Sequence, residues 1–99
     1  MYASVRRYKL DPASVDEVKS RVEEGFIPVV TGVPGFVAYY VVSAGDGEVV
    51  SINFFKDHVG AEESTRRAAD WVMENLATLL PDVPEVTAGE VIVQVQMAR

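Results

Sequence analysis

Along this chain the spacing of apolar positions switches between short and helical periods, and each switch marks an expected element. Tyr2–Lys9 sets Tyr, Val and Tyr among polar positions and reads as a strand. Leu10-Asp11-Pro12 then signals a helix start: Asp11 can cap free N–H groups, and Pro12 fits the first helical position. Val15, Val18, Val22, Phe26 and Val29 follow at spacings of three and four. Pro28 would crowd the carbonyl four residues back, so a kink or stop is expected near Gly25. "TGVPGF" punctuates the chain before a second strand over residues 36–43, and residues 49–56 form its hairpin partner through Asp46-Gly47. Asp57 is placed to cap a second helix over residues 59–80, with a stripe of Ala61, Thr65, Ala68, Val72, Leu76 and Leu79. Pro81 and Pro84 end it, and "EVIVQVQ" (residues 90–96) supplies the expected last strand.

The order is β-α-β-β-α-β, a single α+β domain over residues 1–99 of the ferredoxin-like type: a four-stranded antiparallel sheet with two helices on one face. The other face is left open. Val50, Ile52 and Phe54 suit the helix-covered side, which assigns Val49, Ser51, Asn53 and Phe55 to the open one. By the same alternation Ala3 and Val5 contrast with Tyr2, Ser4, Arg6 and Tyr8. A two-residue turn at Asp46-Gly47 sets Tyr40 opposite Asn53, and a bulge shifts that partner by one. A half-apolar open face of this kind is an interface candidate, with a second copy of the chain as the expected partner.

Composition narrows the function classes. The chain has 99 residues, 48% of them hydrophobic and 24% charged, as a folded globular domain requires. A net charge of −6 disfavours nucleic acid and anionic membrane surfaces. No apolar run reaches the roughly 18 residues of a spanning helix, and "MYASVRRYKL" has no signal-peptide core, so the cytoplasm is the expected location. Without cysteine, and with one histidine, no metal site is expected, and the expectation of no cofactor comes from the resemblance described next.

The element order, "VPGFVAYY", and "SINFFKDHVGAEES" leading into the second helix resemble the antibiotic-biosynthesis-monooxygenase-like proteins of the dimeric α+β barrel superfamily. That resemblance covers nearly the whole chain. It implies a homodimer whose sheets pack into a barrel, often with the last strand reaching across to the partner. Relatives include oxygenases needing neither metal nor flavin, which use an Asn, a Trp and a Tyr, and haem-degrading members using Asn, Trp and His. The matching residue types here are Asn53, Trp71, Tyr39 or Tyr40, and His58; the first strand has no asparagine, and Phe55 stands where a tryptophan would close the third strand.

Each candidate carries a structural reading beside the chemical one. Asn53 could stabilise an enolate oxygen, or bond across an interface to Gln94, Ser51 or Tyr40. His58 could be a general base, or a solvated residue after a helix cap. Trp71 lies about 100° from Val72 on the helical wheel, at the flank of the core stripe, and is a pocket-wall candidate. Tyr40 or its neighbour Tyr39 could direct a ligand or merely pack. Arg6, Arg7, Lys9 and Lys56 form a basic patch that could hold a carboxylate or enolate, or pair with interface glutamates. The functional expectation is a cofactor-independent monooxygenase acting on a small aromatic or polyketide-like compound. Its alternative is a non-catalytic homodimeric domain for ligand binding or assembly.

Overall fold

A computed structural model describes residues 1–97. Its elements are β1 (Tyr2–Lys9), a 3-10 turn (Pro12–Ser14), α1 (Val15–Arg21), a π-helical turn (Val22–Phe26), α2 (Ile27–Thr31), β2 (Phe36–Gly45), β3 (Glu48–Phe55), α3 (His58–Asn75) and β4 (Glu85–Glu90). The sheet runs β2-β3-β1-β4 with antiparallel neighbours throughout, as the split βαβ arrangement requires.

Local chemistry explains the boundaries. Asp11 accepts from the Ala13 N–H, with Pro12 in the first turn. Pro28 does not stop the first helical segment. The backbone widens into the π-turn over Val22–Phe26, and Pro28 falls in the first turn of α2, where a missing N–H costs nothing. Asp57 caps α3, accepting from the N–H groups of Val59 and Gly60. That helix ends at Asn75, short of the expected Leu80. A tight turn, with the Leu79 and Leu80 N–H groups both donating to the Leu76 carbonyl, instead tucks Leu76 and Leu80 against Tyr8 and Val18.

The hairpin turn places Asp46 at φ 52° and Gly47 at φ 76°, the left-handed pair a two-residue turn demands. A register shift between Ser43 and Gly45 then pairs Tyr39 with Asn53 and Tyr40 with Ile52. Of the two alignments open at the turn, this is the bulged one.

Two expectations are corrected. The last strand is Glu85–Glu90, not residues 90–96. Its partner β1 begins at Tyr2, which faces Glu90, so the β1–β4 ladder ends at that pair; one bond, from the Val91 N–H to the Met1 carbonyl, closes it. Residues 91–97 carry the stronger strand pattern but, among the described residues, have no strand beside them.

The second correction concerns the faces of the sheet. Phe55 is fully buried among Phe26, Val30, Val33, Ala61 and Ala68, so Val49, Ser51, Asn53 and Phe55 face the helices. Val50, Ile52 and Phe54 point to the open side, where Phe54 meets Tyr40 with ring centres 6.4 Å apart. The apolar trio marks the face that no helix covers, and Ser4, Arg6, Ser51 and Asn53 lie beneath the helices.

Candidate functional site

The inverted faces bring a buried polar cluster under α3. Ser4 and Arg6 of β1 sit directly opposite Asn53 and Ser51 of β3, and both pairs face the helices. Arg6 is 2% exposed and Asn53 is fully buried. The Arg6 guanidinium donates from Nη2 to Asn53 Oδ1 at 3.2 Å, and from Nη1 to Ser4 Oγ and Thr65 Oγ1, each at 3.5 Å. Asn53 Nδ2 in turn donates to the Ser4 carbonyl at 3.3 Å. Asn53 therefore bonds to Arg6 and Ser4, and not to Gln94, Ser51 or Tyr40.

Two features of this cluster stand out physically. Among the described residues no carboxylate pairs with Arg6, although an unpaired buried cation costs several kcal/mol. In addition, Arg6 Nε and Ser51 Oγ are buried with no hydrogen-bond partner among the described residues. Both residues line a void of about 40 Å³ between sheet and helices, walled elsewhere by Tyr8, Phe26, Tyr39 and Trp71. A wider cleft of about 290 Å³ adjoins it between α1, the π-turn and β2, sharing Val18, Val22, Tyr39, Val41 and Val49. Asn53 does not line the void; it holds the guanidinium from behind.

Burial pushes the Tyr39 phenol up to about 12, against the opposing pull of the Arg6 cation and with a small upward push from Tyr8. Tyr39 is therefore a neutral hydroxyl at ordinary pH. Trp71 packs on Phe26 with ring centres 5.4 Å apart, and Phe26 packs on Tyr39 at 5.6 Å. The glycine at position 25 makes room for the indole: a Cβ there would lie 2.9 Å from Trp71 Cζ2. The π-turn and its glycine thus set one wall of the void.

The structure brings Trp71, Tyr39 and, one layer behind, Asn53 together. It does not bring the other two candidates. Tyr40 points to the open face and is 58% exposed. His58 is exposed at the start of α3, edge-on to Tyr2 at 6.2 Å. The basic patch also divides, because Arg7 pairs with Glu48 at 2.6 Å on the side opposite Arg6. Among the described residues no group of three His, Asp or Glu side chains could hold a metal ion. The sequence reading missed the pairing of Arg6 with Ser51 beneath the helices. One signal for it was present: Thr65 interrupts the apolar stripe of α3 with a hydroxyl, and polar residues on the sheet face below are what would satisfy it.

No protein-family profile matches the sequence, and no curated protein does. Solved structures do. A protein of unknown function, NE2512 from Nitrosomonas europaea, superposes with a TM-score of 0.79 at 20% identity, covering 99% of this chain and 95% of its own. The ActVA-Orf6 monooxygenase of Streptomyces coelicolor, solved with the ligand nanaomycin D, gives 0.77 at 19% identity, covering 98% and 92%. MhuD, as a variant with two manganese protoporphyrin IX molecules per active site, gives 0.76 at 11% identity, covering 98% and 100%. The chain thus has the α+β fold of the antibiotic biosynthesis monooxygenases. Among the described residues no helix is long and apolar enough to cross a membrane.

Proposed function

We propose that this chain is a monooxygenase-like protein that takes a small aromatic or polyketide-like compound between its sheet and helices. The observation that carries this reading is the aromatic-walled void at Trp71 and Tyr39, with the Arg6 cation on its floor. The fold it shares with a monooxygenase solved with nanaomycin D is in keeping with such a ligand. A phenol bound there would lie beside a cation that favours its ionised, electron-rich form, the form that reacts directly with dioxygen. In the oxygenation of a phenol to a quinone, the ring supplies four electrons. One oxygen atom becomes the new carbonyl, the other leaves as water, and no metal or flavin enters the balance. In this scheme Tyr39, which lines both the void and the cleft, donates a hydrogen bond, and Trp71 walls the void that takes the ring's oxygen. Asn53 is a positioning residue that acts through Arg6, and Tyr40 and His58 stand outside the chemistry.

The working unit we propose is a homodimer joined through the open sheet face. Tyr40, Val37 and Val42 are exposed there, and Ile92, Val93, Val95 and Met97 extend beyond the sheet with their side chains in solvent. Such a surface suits burial against a second copy. Oxygen uptake with a panel of phenols and quinols tests the activity, with Trp71→Ala and Tyr39→Phe as comparators. Uptake by the wild type that both variants abolish or sharply reduce is expected. Tight binding of the same compounds without uptake would favour the alternative, a non-catalytic binding domain. Light scattering that shows a stable monomer at micromolar concentration would refute the dimer.

A further inference from the structure

We propose that Arg6 Nε and Ser51 Oγ form an anion subsite, so that the ligand of the pocket is an aromatic compound carrying an ionised oxygen. This rests on the reading of the void as a ligand pocket. It goes beyond that reading in naming the two atoms that would receive the ionised oxygen.

The inference begins from what is left over. Every other nitrogen of the Arg6 guanidinium is used: Nη1 reaches Ser4 and Thr65, and Nη2 reaches Asn53. Those bonds fix the plane of the group and, among the described residues, leave Nε as its one nitrogen without a partner. Ser51 is the direct cross-strand partner of Arg6, which sets their side chains next to each other on one face. Its hydroxyl is likewise buried without a partner. Two unpartnered donors on neighbouring residues that both line one void are placed to serve an oxygen atom that accepts two hydrogen bonds. The positive charge selects an anion, since Arg6 has no carboxylate partner among the described residues.

Size restricts the ligand further. The void of about 40 Å³ admits an oxygen and little more, so the ring itself must occupy the adjoining cleft of about 290 Å³. A cleft of that size is at the small end for ligand sites, which suits one or two fused rings. The shared chemistry is therefore an aryl oxyanion, either a phenolate or an aryl carboxylate.

The test uses three probes with a common ring: 4-nitrophenol at a pH where it is ionised, 4-nitrobenzoate, and neutral 4-nitroanisole. Binding is read by quenching of Trp71, the one tryptophan of the chain. The yellow phenolate band independently reports whether the protein lowers the phenol's pKa. At least one anion is expected to bind about tenfold or more tighter than the anisole, as hydrogen bonds to charged groups imply. Whichever anion is preferred identifies the source of the oxygen. Arg6→Gln is expected to erase the preference while leaving anisole binding in place. Should Arg6→Gln fail to fold, Ser51→Ala carries the test, because deleting an unpartnered buried hydroxyl is neutral or stabilising for folding. It is expected to cut the anion preference by about three- to tenfold.

Anisole binding as tightly as both anions would overturn the anion subsite and leave the pocket reading standing. An anion preference that Ser51→Ala leaves unchanged would overturn the two-donor assignment. If none of the three probes quenches Trp71, the subsite and the pocket reading fall together.

Discussion

Replacing Asn53 separates its role as a support for Arg6 from any chemistry of its own. In the native cluster the amide accepts from the guanidinium at 3.2 Å and donates to the Ser4 carbonyl at 3.3 Å, with no solvent contact. Asn53→Ala removes a bond to a charged group, worth about 1.5–3 kcal/mol, and a neutral one worth about 0.5–1.5 kcal/mol. Since Arg6 cannot turn to water for compensation, the loss should approach the sum, about 2–4.5 kcal/mol. Asn53→Asp keeps the shape and sets a carboxylate where the amide oxygen was, within reach of the guanidinium. It forfeits the bond to Ser4 but supplies the counter-charge Arg6 lacks. We expect it to remain at least about 1.5 kcal/mol more stable than the alanine variant, the worth of one charge-assisted bond. The same substitution should abolish preferential binding of aryl anions, because the cation is then already neutralised. Urea unfolding followed by far-UV circular dichroism and by Trp71 fluorescence, at fixed protein concentration, measures the differences. An Asn53→Ala loss below about 0.5 kcal/mol, the scale of an ordinary surface change, at unchanged denaturant slope would refute the claim that this amide holds Arg6.

Further consequences can be measured in the same way. Phe55→Ala should cost about 3–5 kcal/mol because the ring is fully buried under the helices. Phe54→Ala should cost clearly less in unfolding and act mainly on self-association, seen by sedimentation; equal losses would refute the assigned faces. Gly25→Ala should destabilise by about 1–3 kcal/mol as the new Cβ presses on Trp71, and should shift the tryptophan emission; a thermal melt and a spectrum check both. Tyr39, raised from 10.0 to about 12, binds its proton more tightly folded than unfolded, so stability should be flat below pH 10 and fall as pH rises from there towards 12. The fall should not exceed about 3 kcal/mol, and Tyr39→Phe should remove it in alkaline urea titrations.

Much of the fold was legible because its punctuation is local. Asp11-Pro12, Asp57 and Asp46-Gly47 act on their own backbone, and each does in the structure what its chemistry dictates. Elements that depend on distant chain were harder to read. The last strand ends at Glu90 because its neighbour β1 starts at Tyr2, a fact of register that no pattern within residues 90–96 contains. Pro28 was a sound warning of irregularity, yet a helix has two ways to accommodate it, and packing on the sheet favours the wide turn over a stop. For the site, Trp71 and Asn53 lie near one another beneath the helices, while Tyr40 and His58 lie elsewhere. Adjacent tyrosines differ only in the side they face, and one bulged residue near Ser43 aligns Tyr39 with Asn53.

The misassigned faces of β3 carry the broader lesson about this molecule. Period-two alternation divides Val50, Ile52 and Phe54 from Ser51, Asn53 and their neighbours but does not label which set is inside. The usual rule sends the apolar set under the helices. Here the helix-covered side carries the polar residues because β1 brings Arg6 and Ser4 there, and α3 brings Thr65 to meet them. A closed hydrophobic core would have been simpler and more stable with aliphatic residues at these positions. Retaining a guanidinium that lacks a carboxylate partner among the described residues, with one donor unused and a small void at its side, makes physical sense for a site that receives a ligand. The apolar set on the other face makes equal sense once that face is covered by a second copy. In the reading proposed above, binding chemistry on one face and assembly on the other would both follow from a single choice of which side the alternation turns inward.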